Sequence, residues 1–443
     1  MKYGFRYDSE GRLLSITDAN NDSTVISRDG TTGVPTTITA PYGQTTVLGM
    51  DTSEKYLASI QDPAGQTHTL TYYSGADDGL LHTSTNPRSK TWTYTYSSAD
   101  GRLSREDDPA NGYNTLSQTE SGASRTVTRT TGEGRVTKYT VMQMLDGLRR
   151  RFIDHPNGSK YSSVDSMSLS APYGEVIRSV GTAGDTTTTR PSRDYRFGWL
   201  APVDSVIGIG LPSGLRDTVT NTRSLSGSMR FESSAFNGRR FLASYDTSQR
   251  VLTLRTPVGR TSSVSFDPAG RVTTSQGGSL AAVEFGYDSR GKLTHLLQGS
   301  RGWRYAYDTG GRLTSVTDTL DRVTTFAYDQ ANRDTMETLP DGREVHFDYD
   351  EAGNLTRLTP PGGVPHTFAY TPVDLNNTYA PPSVPGISDP ATTYEFNHDR
   401  QLTRITRPDT VVTLDYGSST GQLATIHHSQ GSTRACTRFC VST

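Results

Sequence analysis

The stretch from Phe285 to Tyr370 repeats one pattern five times. It reads FGYDSRGKL at 285–293, YAYDTGGRL at 305–313, FAYDQANR at 326–333, FDYDEAGNL at 347–355 and FAY at 368–370. The second aromatic of the copies falls at positions 287, 307, 328, 349 and 370, so the steps are 20, 21, 21 and 21 residues. An internal repeat fixes the architecture, and it therefore decides how the rest of the chain is interpreted.

One repeat unit predicts two short strands and two turns. In an aromatic-x-aromatic triplet both rings lie on one side of a strand. The Asp that follows can accept a backbone hydrogen bond and start a turn, and Gly three places later supplies a positive φ. A second strand comes next, in which the apolar residues Leu313 and Val316 are three positions apart. That spacing breaks strict alternation and predicts a β-bulge or a strand packed on both faces.

We assign the Tyr and the Asp of each clear unit to the structural turn of the repeat. In most of these units the Gly three places after the Asp is assigned as well. The pattern is complete from the start of the chain and is clearest between residues 285 and 355. The assigned residues are Tyr7, Asp8, Gly11, Tyr287, Asp288, Gly291, Tyr307, Asp308, Gly311, Tyr328, Asp329, Tyr349, Asp350 and Gly353.

The composition favours an all-β chain. Hydrophobic residues make up only 32% of the 443 residues, whereas Gly (43) and Tyr (23) are plentiful. That mixture suits many thin strands joined by turns better than a thick apolar core. We therefore predict a repetitive antiparallel β-strip that forms one body. A propeller, whose blades need about 40 to 45 residues, and a parallel β-helix fit the unit less well.

The charge balance and the apolar runs argue against two classes of partner. The net charge is −2, from 44 basic and 46 acidic residues, which gives no electrostatic footprint of a nucleic-acid binder. The first residues lack the apolar segment of a signal peptide. The most apolar run, 199–212, contains Asp204 and two prolines, so it is too short and broken to span a membrane.

The repeat predicts two regions of unequal length. Residues 1–430 are predicted to form the repeat body, which is irregular over 119–240 and interrupted by an inserted loop, rich in Pro and Asn, over 371–390. Residues 431–443 match no unit and are predicted to form a non-repeat tail. Repeat arrays normally carry a distinct capping unit at each end. Because neither end shows one, we expect the chain to be part of something longer.

Three stretches imitate catalytic motifs but fall on turn positions of the repeat. The sequence Gly286–Leu293 nearly spells a phosphate loop, yet Leu follows the Lys where Ser or Thr is required. The triplet Asp308-Thr309-Gly310 matches an aspartic protease, but Asp308 is the turn Asp of its unit. The stretch 417–421 matches a nucleophile elbow but precedes a predicted strand instead of a helix.

One further group has residue types that bind zinc. His427, His428, Cys436 and Cys440 lie within 14 positions of one another. Imidazole and thiolate are the usual zinc ligands, but Cys-x3-Cys in a tail is a weak signal. We therefore predict no cofactor, no metal and no enzymatic activity.

The unit Tyr-Asp-x-x-Gly-Arg-Leu resembles the YD repeat of the Rhs family, which spans bacterial Rhs and polymorphic toxins, C subunits of insecticidal toxin complexes, and teneurins. The strongest matches are Tyr7–Asp18, Tyr287–Leu293, Tyr307–Asp318 and Tyr349–Leu355. The resemblance implies an antiparallel β-strip that spirals into a hollow shell, here open or incomplete. It also implies a secreted or cell-surface location, and either an enclosed C-terminal toxin or, as in teneurins, a role in cell–cell adhesion.

The chain departs from the bacterial members of that family at one place. Their shell ends in a core motif, Asp-Pro-x-Gly-Leu, where the toxin is released. Here Asp62–Gly65 and Asp267–Gly270 lack the Leu and lie inside repeats. Two hypotheses follow. The chain is a non-enzymatic shell segment, with a toxin or effector cargo or the rest of a longer shell as its partner. Alternatively, it is a surface module that binds cell-surface carbohydrate or a receptor.

The two hypotheses predict different surfaces. A shell segment should have two sheet faces of different polarity. A binding module should have a concentrated patch of exposed aromatic side chains, since such faces stack on sugars.

Overall fold

The computed structural model describes residues 3–145, 148–166, 177–383, 390–429 and 433–435. This part of the chain forms 39 β-strands in one sheet, and its only helical element is a 3-10 turn at Gly75–Asp77. The prediction of an all-β antiparallel fold is confirmed.

The strands are short except in the middle of the chain. Their bounds are β1 Gly4–Tyr7, β2 Leu13–Thr17, β3 Ser23–Arg28, β4 Pro35–Thr39, β5 Thr45–Met50, β6 Leu57–Gln61, β7 Thr67–Tyr72, β8 Leu81–Thr85, β9 Thr91–Tyr96, β10 Leu103–Asp107, β11 Tyr113–Ser121, β12 Ser124–Thr131, β13 Val136–Gln143, β14 Leu148–Asp154, β15 Lys160–Ser166, β16 Ile177–Val180, β17 Thr186–Asp194, β18 Gly198–Gly210, β19 Arg216–Ser226, β20 Met229–Phe236, β21 Arg239–Asp246, β22 Val251–Arg255, β23 Thr261–Phe266, β24 Val272–Gly277, β25 Val283–Tyr287, β26 Leu293–Gln298, β27 Arg301–Tyr307, β28 Leu313–Thr317, β29 Val323–Tyr328, β30 Asp334–Thr338, β31 Glu344–Tyr349, β32 Leu355–Thr359, β33 His366–Tyr370, β34 Asn376–Ala380, β35 Thr392–Phe396, β36 Leu402–Arg407, β37 Thr410–Tyr416, β38 Leu423–His428 and β39 Thr433–Ala435.

Each strand pairs antiparallel with the strands directly before and after it in the chain, from β1–β2 to β38–β39. Short turns suffice for such a meander, because antiparallel neighbours need no crossover. No pairing among the described strands joins β1 to β39, so the backbone ladder is open.

A β-bulge occurs at the same place in most repeat units. In β27 and β28, Tyr305 pairs with Val316 and Tyr307 with Leu313, so Thr314 is the extra residue. The same register shift precedes the second aromatic in β1, β25, β29, β31 and β33. The bulge places Leu313 and Val316 on one face although they are three apart, which confirms the bulge predicted from their spacing.

The sheet has two faces of different polarity. In β31, Phe347 and Tyr349 are partly buried, whereas His346 and Asp348 on the opposite side are exposed. We term the side that carries the two aromatics of each unit the aromatic face, and the other side the polar face.

The sheet has almost no enclosed core. Val373 is the only apolar residue in the described part that is buried, at 9% exposure. The accessible surface is 27142 Å², whereas a compact globular protein of this mass exposes roughly 16,500 Å². Both faces are therefore largely open, and the molecule is a wall one sheet thick.

Two stretches differ from the regular units. Strands in the region 119–240 reach 13 residues in β18 and 11 in β19, so the 21-residue period disappears there. The prediction of a loop throughout 371–390 was wrong in part, because Asn376–Ala380 forms β34 and pairs with β33 and β35. The asparagines and prolines around it conceal the strand in the sequence, since both are depleted in strands. Residues 384–389 lie outside the described part.

The tyrosine of one unit is tied to the unit before it. The hydroxyl of Tyr307 donates to the carbonyl of Leu293 at 2.9 Å, and that of Tyr328 donates to the carbonyl of Leu313 at 2.9 Å. Tyr72, Tyr287, Tyr349, Tyr370 and Tyr416 make the equivalent bond at 2.8–2.9 Å. Each bond spans 14 or 15 residues and fixes the spacing of neighbouring units.

We expect the substitution Tyr307→Phe to weaken the sheet locally. It leaves the Leu293 carbonyl without its donor, which costs about 1 kcal/mol. Native-state hydrogen exchange of amides in β26 to β28 should accelerate about fivefold. Tyr305→Phe is the matched control, because it removes a hydroxyl from the same strand and face and leaves that bond intact. Equal acceleration of amide exchange in both variants would contradict the role assigned to the hydrogen bond of the Tyr307 hydroxyl.

Candidate functional site: the Tyr-Asp turns and the seam

The turn after each tyrosine is organised by its aspartate. In one unit, the amide of Gly311 donates to the Asp308 carbonyl at 3.0 Å. The Asp308 carboxylate accepts the backbone N–H of Arg312 at 2.9 Å and its guanidinium Nε at 2.8 Å. Gly311 has φ +74°, which glycine adopts without the strain that a side chain would cause.

The structure places the predicted turn residues in this same arrangement. Asp8, Asp288, Asp308, Asp329 and Asp350 each accept the backbone N–H four residues on, at 2.8–2.9 Å. Gly11, Gly291, Gly311 and Gly353 have φ between +74° and +88°. Asn332 takes that place in the unit of Tyr328, with φ +64°. Tyr7 lies on β1 and is 56% exposed.

Two turns that end in arginine are connected by that arginine to the next unit. The Arg312 guanidinium lies 5.4 Å from the ring centre of Tyr328 and donates to the Asp329 carbonyl at 3.0 Å. Arg333 repeats both contacts one unit later, at 4.9 Å and 2.9 Å. The sequence analysis did not predict this role. The recurrence of Arg in the Gly-Arg-Leu that closes several units was the pattern that indicated it.

The turn hydrogen bonds favour ionised carboxylates. Burial works to raise the pKa of Asp308, but the backbone N–H and guanidinium of Arg312 outweigh it and hold that pKa below its ordinary value. Other aspartates with a lowered pKa are Asp8, Asp18, Asp29, Asp51, Asp100, Asp194, Asp246, Asp267, Asp318, Asp329 and Asp341.

Two rows of turns from distant parts of the chain contact each other. The first row comprises the turns at 18–22, 40–44, 86–90, 108–112 and 131–135. The second comprises those at 267–271, 288–292, 308–312, 350–354, 371–375 and 397–401. We term this contact the seam. Gln44 donates across it to the Gly310 carbonyl at 2.8 Å. The strip therefore folds back onto itself although its ladder stays open.

Arginines cross the seam along most of its length. Arg290 meets Asp22 at 3.0 Å and lies 3.7 Å from the ring centre of Tyr42. Arg88 meets Asp350 at 3.3 Å and Asp374 at 2.6 Å. Arginine suits this position because its planar fork can bind several acceptors at once.

The most buried contact of the seam lies at its far end. The side chains of Arg135 and Asp399 are 7% and 10% exposed, and they meet at 2.6 Å. Arg135 also donates to Gln401, and Asp399 accepts the Thr131 hydroxyl at 2.8 Å. A buried carboxylate needs such partners, because removal of one leaves an uncompensated charge.

The structure does not gather the other candidate residues into a site. His427 and His428 are successive strand residues whose rings contact Asp415 and Thr410, on opposite faces. Cys436 and Cys440 lie outside the described residues. Within the described part, no group of three or more His, Cys, Asp or Glu side chains is placed to hold a metal ion.

The stretches that resemble a phosphate loop and a nucleophile elbow are strand–turn–strand segments. The stretch 286–293 joins β25 to β26, and 417–421 joins β37 to β38. A phosphate loop and a nucleophile elbow each require a helix at that point. No helix in the described residues is long and apolar enough to cross a membrane.

Comparison with known families gives one match across almost the whole chain. The family described as Teneurin YD-shell matches residues 1–435. Mouse and human teneurin-4 are each 24% identical over 330 residues, covering 71% of this chain and 11% of the relative. Chicken teneurin-1 is 25% identical over 342 residues, covering 71% of this chain and 12% of the relative. The chain thus spans about a tenth of the length of these curated relatives.

Two solved structures illustrate what the chain is similar to. The crystal structure of TcdB2-TccC3-Cdc42 is 12% identical, with a TM-score of 0.42, covering 97% of this chain and 27% of that chain. The Photorhabdus luminescens Tc holotoxin pore is 14% identical, with a TM-score of 0.47, covering 96% of this chain and 23% of that chain.

We expect the wall to lose stability in acid. Asp308 and the other aspartates named above with a lowered pKa have folded values below the unfolded value of about 3.9, so their contribution is present above that pH and lost as the pH falls through the folded values. Circular dichroism should report unfolding below about pH 4. Local hydrogen exchange in β27 and β28 should depend less on pH in Asp308→Asn. The control is Asp348→Asn, which removes an exposed carboxylate. An equal decrease in the pH dependence of exchange in this control would contradict the stabilising role of the Asp308 carboxylate.

We expect Arg135→Met to open the seam while the sheet persists. The change leaves the buried Asp399 carboxylate without its charged partner, which lowers the stability of the closed seam by roughly 3 kcal/mol. The radius of gyration in small-angle X-ray scattering should increase, and amides in 131–135 and 397–401 should exchange faster. The control is Arg125→Met, which removes an exposed pair with Glu120. If both variants keep the wild-type radius and exchange rates, the Arg135–Asp399 pair does not hold this end of the seam closed.

Proposed function

The chain belongs to the teneurin YD-shell family, and from that premise we propose that it is a non-enzymatic segment of shell wall. In this proposal residues 1–430 form the wall, and the segment 431–443, predicted to be a non-repeat tail, extends the wall by one strand, because Thr433–Ala435 pairs with β38 as β39. The wall encloses or presents a C-terminal effector polypeptide, or joins further shell of a longer protein. Its location is secreted or at the cell surface.

The single-sheet wall is the observation that carries this proposal. An accessible surface of 27142 Å² and one buried apolar residue in the described part leave little room for a conventional core. A continuous sheet satisfies its backbone hydrogen bonds internally, and its two faces differ in polarity. Such a sheet is suited to separate two volumes.

The turn residues support a structural role. The aspartates, glycines and tyrosines assigned from the sequence recur at fixed slots. The carboxylates bond to backbone N–H groups, and the hydroxyls of Tyr287, Tyr307, Tyr328 and Tyr349 bond to backbone carbonyls. Catalytic groups instead converge in one cleft with pKa values set by their neighbours. We propose that these residues are the structural determinants of the wall.

A second function is carbohydrate or receptor binding, and exposed aromatic residues favour it. Phe236 and Phe241 are 45% and 48% exposed and continue the aromatic face beyond Tyr245. Leu254 beside them is 40% exposed. We term Phe236, Phe241 and Leu254 the aromatic patch. Aromatic faces of this kind stack on sugar rings or on partner side chains.

The wall function predicts protection of an attached polypeptide. An unstructured reporter peptide appended after Thr443 should be digested by a nonspecific protease several times more slowly than the free peptide. The Arg135→Met variant, with its seam opened, should lose most of that protection, and Arg125→Met should retain it. Digestion of the appended reporter at the rate of the free peptide would contradict enclosure.

A further inference from the structure

A polar cavity lies where the aromatic face meets the end of the seam. Its volume is about 510 Å³, within the range of small-ligand sites. β10 to β13 form its floor, and the turns at 397–401 and 420–421 form its wall. Both sides of the seam are therefore needed to build it. We term it the seam cavity.

The floor replaces apolar residues of the repeat with polar ones. Val316 pairs with Tyr305 on the aromatic face, and the equivalent slot opposite Tyr94 holds Glu106. Asn114 pairs with Glu106, and Thr131 pairs in turn with Asn114. A row of carboxylate, amide and hydroxyl groups thus crosses three strands. These groups add no apolar packing to the face, and those that are bonded, such as Asn114 to Arg129 and Thr131 to Asp399, form a polar surface that faces the cavity.

Arg129 completes the floor. Its Nε donates to the side-chain amide oxygen Oδ1 of Asn114 at 2.7 Å, which orients the guanidinium beside the row. Thr137 pairs with Arg129 and is 8% exposed. A guanidinium has five N–H donors and a carboxylate about four acceptor positions. Arg129 and Glu106 therefore offer donors and acceptors side by side.

The charges of the cavity balance. Three carboxylates line it, those of Glu106, Asp108 and Asp399, and three guanidinium groups, those of Arg129, Arg135 and Arg400. Asp108 pairs with Arg400 at 3.0 Å and Asp399 with Arg135 at 2.6 Å, so four of the six charges are neutralised across the seam. A balanced lining disfavours phosphate or another strong anion, and its polarity disfavours an apolar ligand.

We infer that the seam cavity binds a neutral, hydroxyl-rich ligand, a saccharide of one or two rings. Neighbouring hydroxyls of a sugar can each donate to a carboxylate and accept from a guanidinium or amide. The inference deepens the carbohydrate function proposed above and rests on it, but it assigns the sugar to the cavity instead of the aromatic patch. A sugar that contacts both rows of turns also stabilises the closed seam.

Calorimetric titration of the full chain with N-acetylglucosamine, lactose and glucuronate tests the inference. At least one of the two neutral sugars should bind, and more tightly than glucuronate. Glu106→Gln and Arg129→Gln should each weaken that binding about tenfold, because each removes a charged hydrogen-bond partner. Bound sugar should slow hydrogen exchange at 108–112 and 397–401.

The matched control is Glu337→Gln. Glu337 fills the same slot as Glu106 in another unit, opposite Phe326 and outside the cavity. Phe236→Ser with Phe241→Ser tests the aromatic patch separately. Hydrogen exchange of unliganded variants verifies that each keeps the sheet and seam.

Four results would overturn the inference. The first three are no binding of either neutral sugar at millimolar concentration, tighter binding of glucuronate than of the neutral sugars, and equal loss of sugar binding in Glu337→Gln and Glu106→Gln. The fourth is loss of sugar binding only in the variant with both phenylalanines replaced, which would make the aromatic patch the sugar site instead of the seam cavity. None of these results bears on reporter protection, which tests the wall itself.

Discussion

The hydrogen bond that seven repeat tyrosines donate to a backbone carbonyl of the previous unit is the contact on which the regular part of this wall depends. A sheet one layer thick cannot use a buried core to fix how its units are spaced, because both faces remain open. The tyrosine supplies what the core would supply, with its ring lying on the aromatic face and its hydroxyl reaching a fixed backbone atom at 2.8–2.9 Å. The arginine that stacks on the same ring adds a second link between the same two units.

The sequence predicted local structure well because the relevant contacts are local. The Asp and Gly of the turn act within four residues, and the Leu313–Val316 spacing revealed the bulge. The strand at Asn376–Ala380 was missed because its asparagines resemble a loop. There, pairing with both neighbouring strands overrides a weak intrinsic preference.

The seam and its cavity were beyond sequence reasoning for a physical reason. Asp399 and Arg135 are 264 residues apart, and nothing in either turn marks the other as its partner. Which turns meet depends on the accumulated twist and curvature of many strands, and no single unit encodes it. The polar row of Glu106, Asn114 and Thr131 became visible only after the bulge had fixed which residues share the aromatic face.

Pairing only between sequence neighbours has a consequence for synthesis. Each strand finds its partner as soon as the next hairpin leaves the ribosome, so the strip can form progressively from its first residues. The seam is the exception. At about 5 to 20 residues per second, Arg135 waits roughly 10 to 50 s for Asp399 to be made. During that interval the nascent strip has an unclosed row of turns, and its shape is settled only after Asp399 has been made.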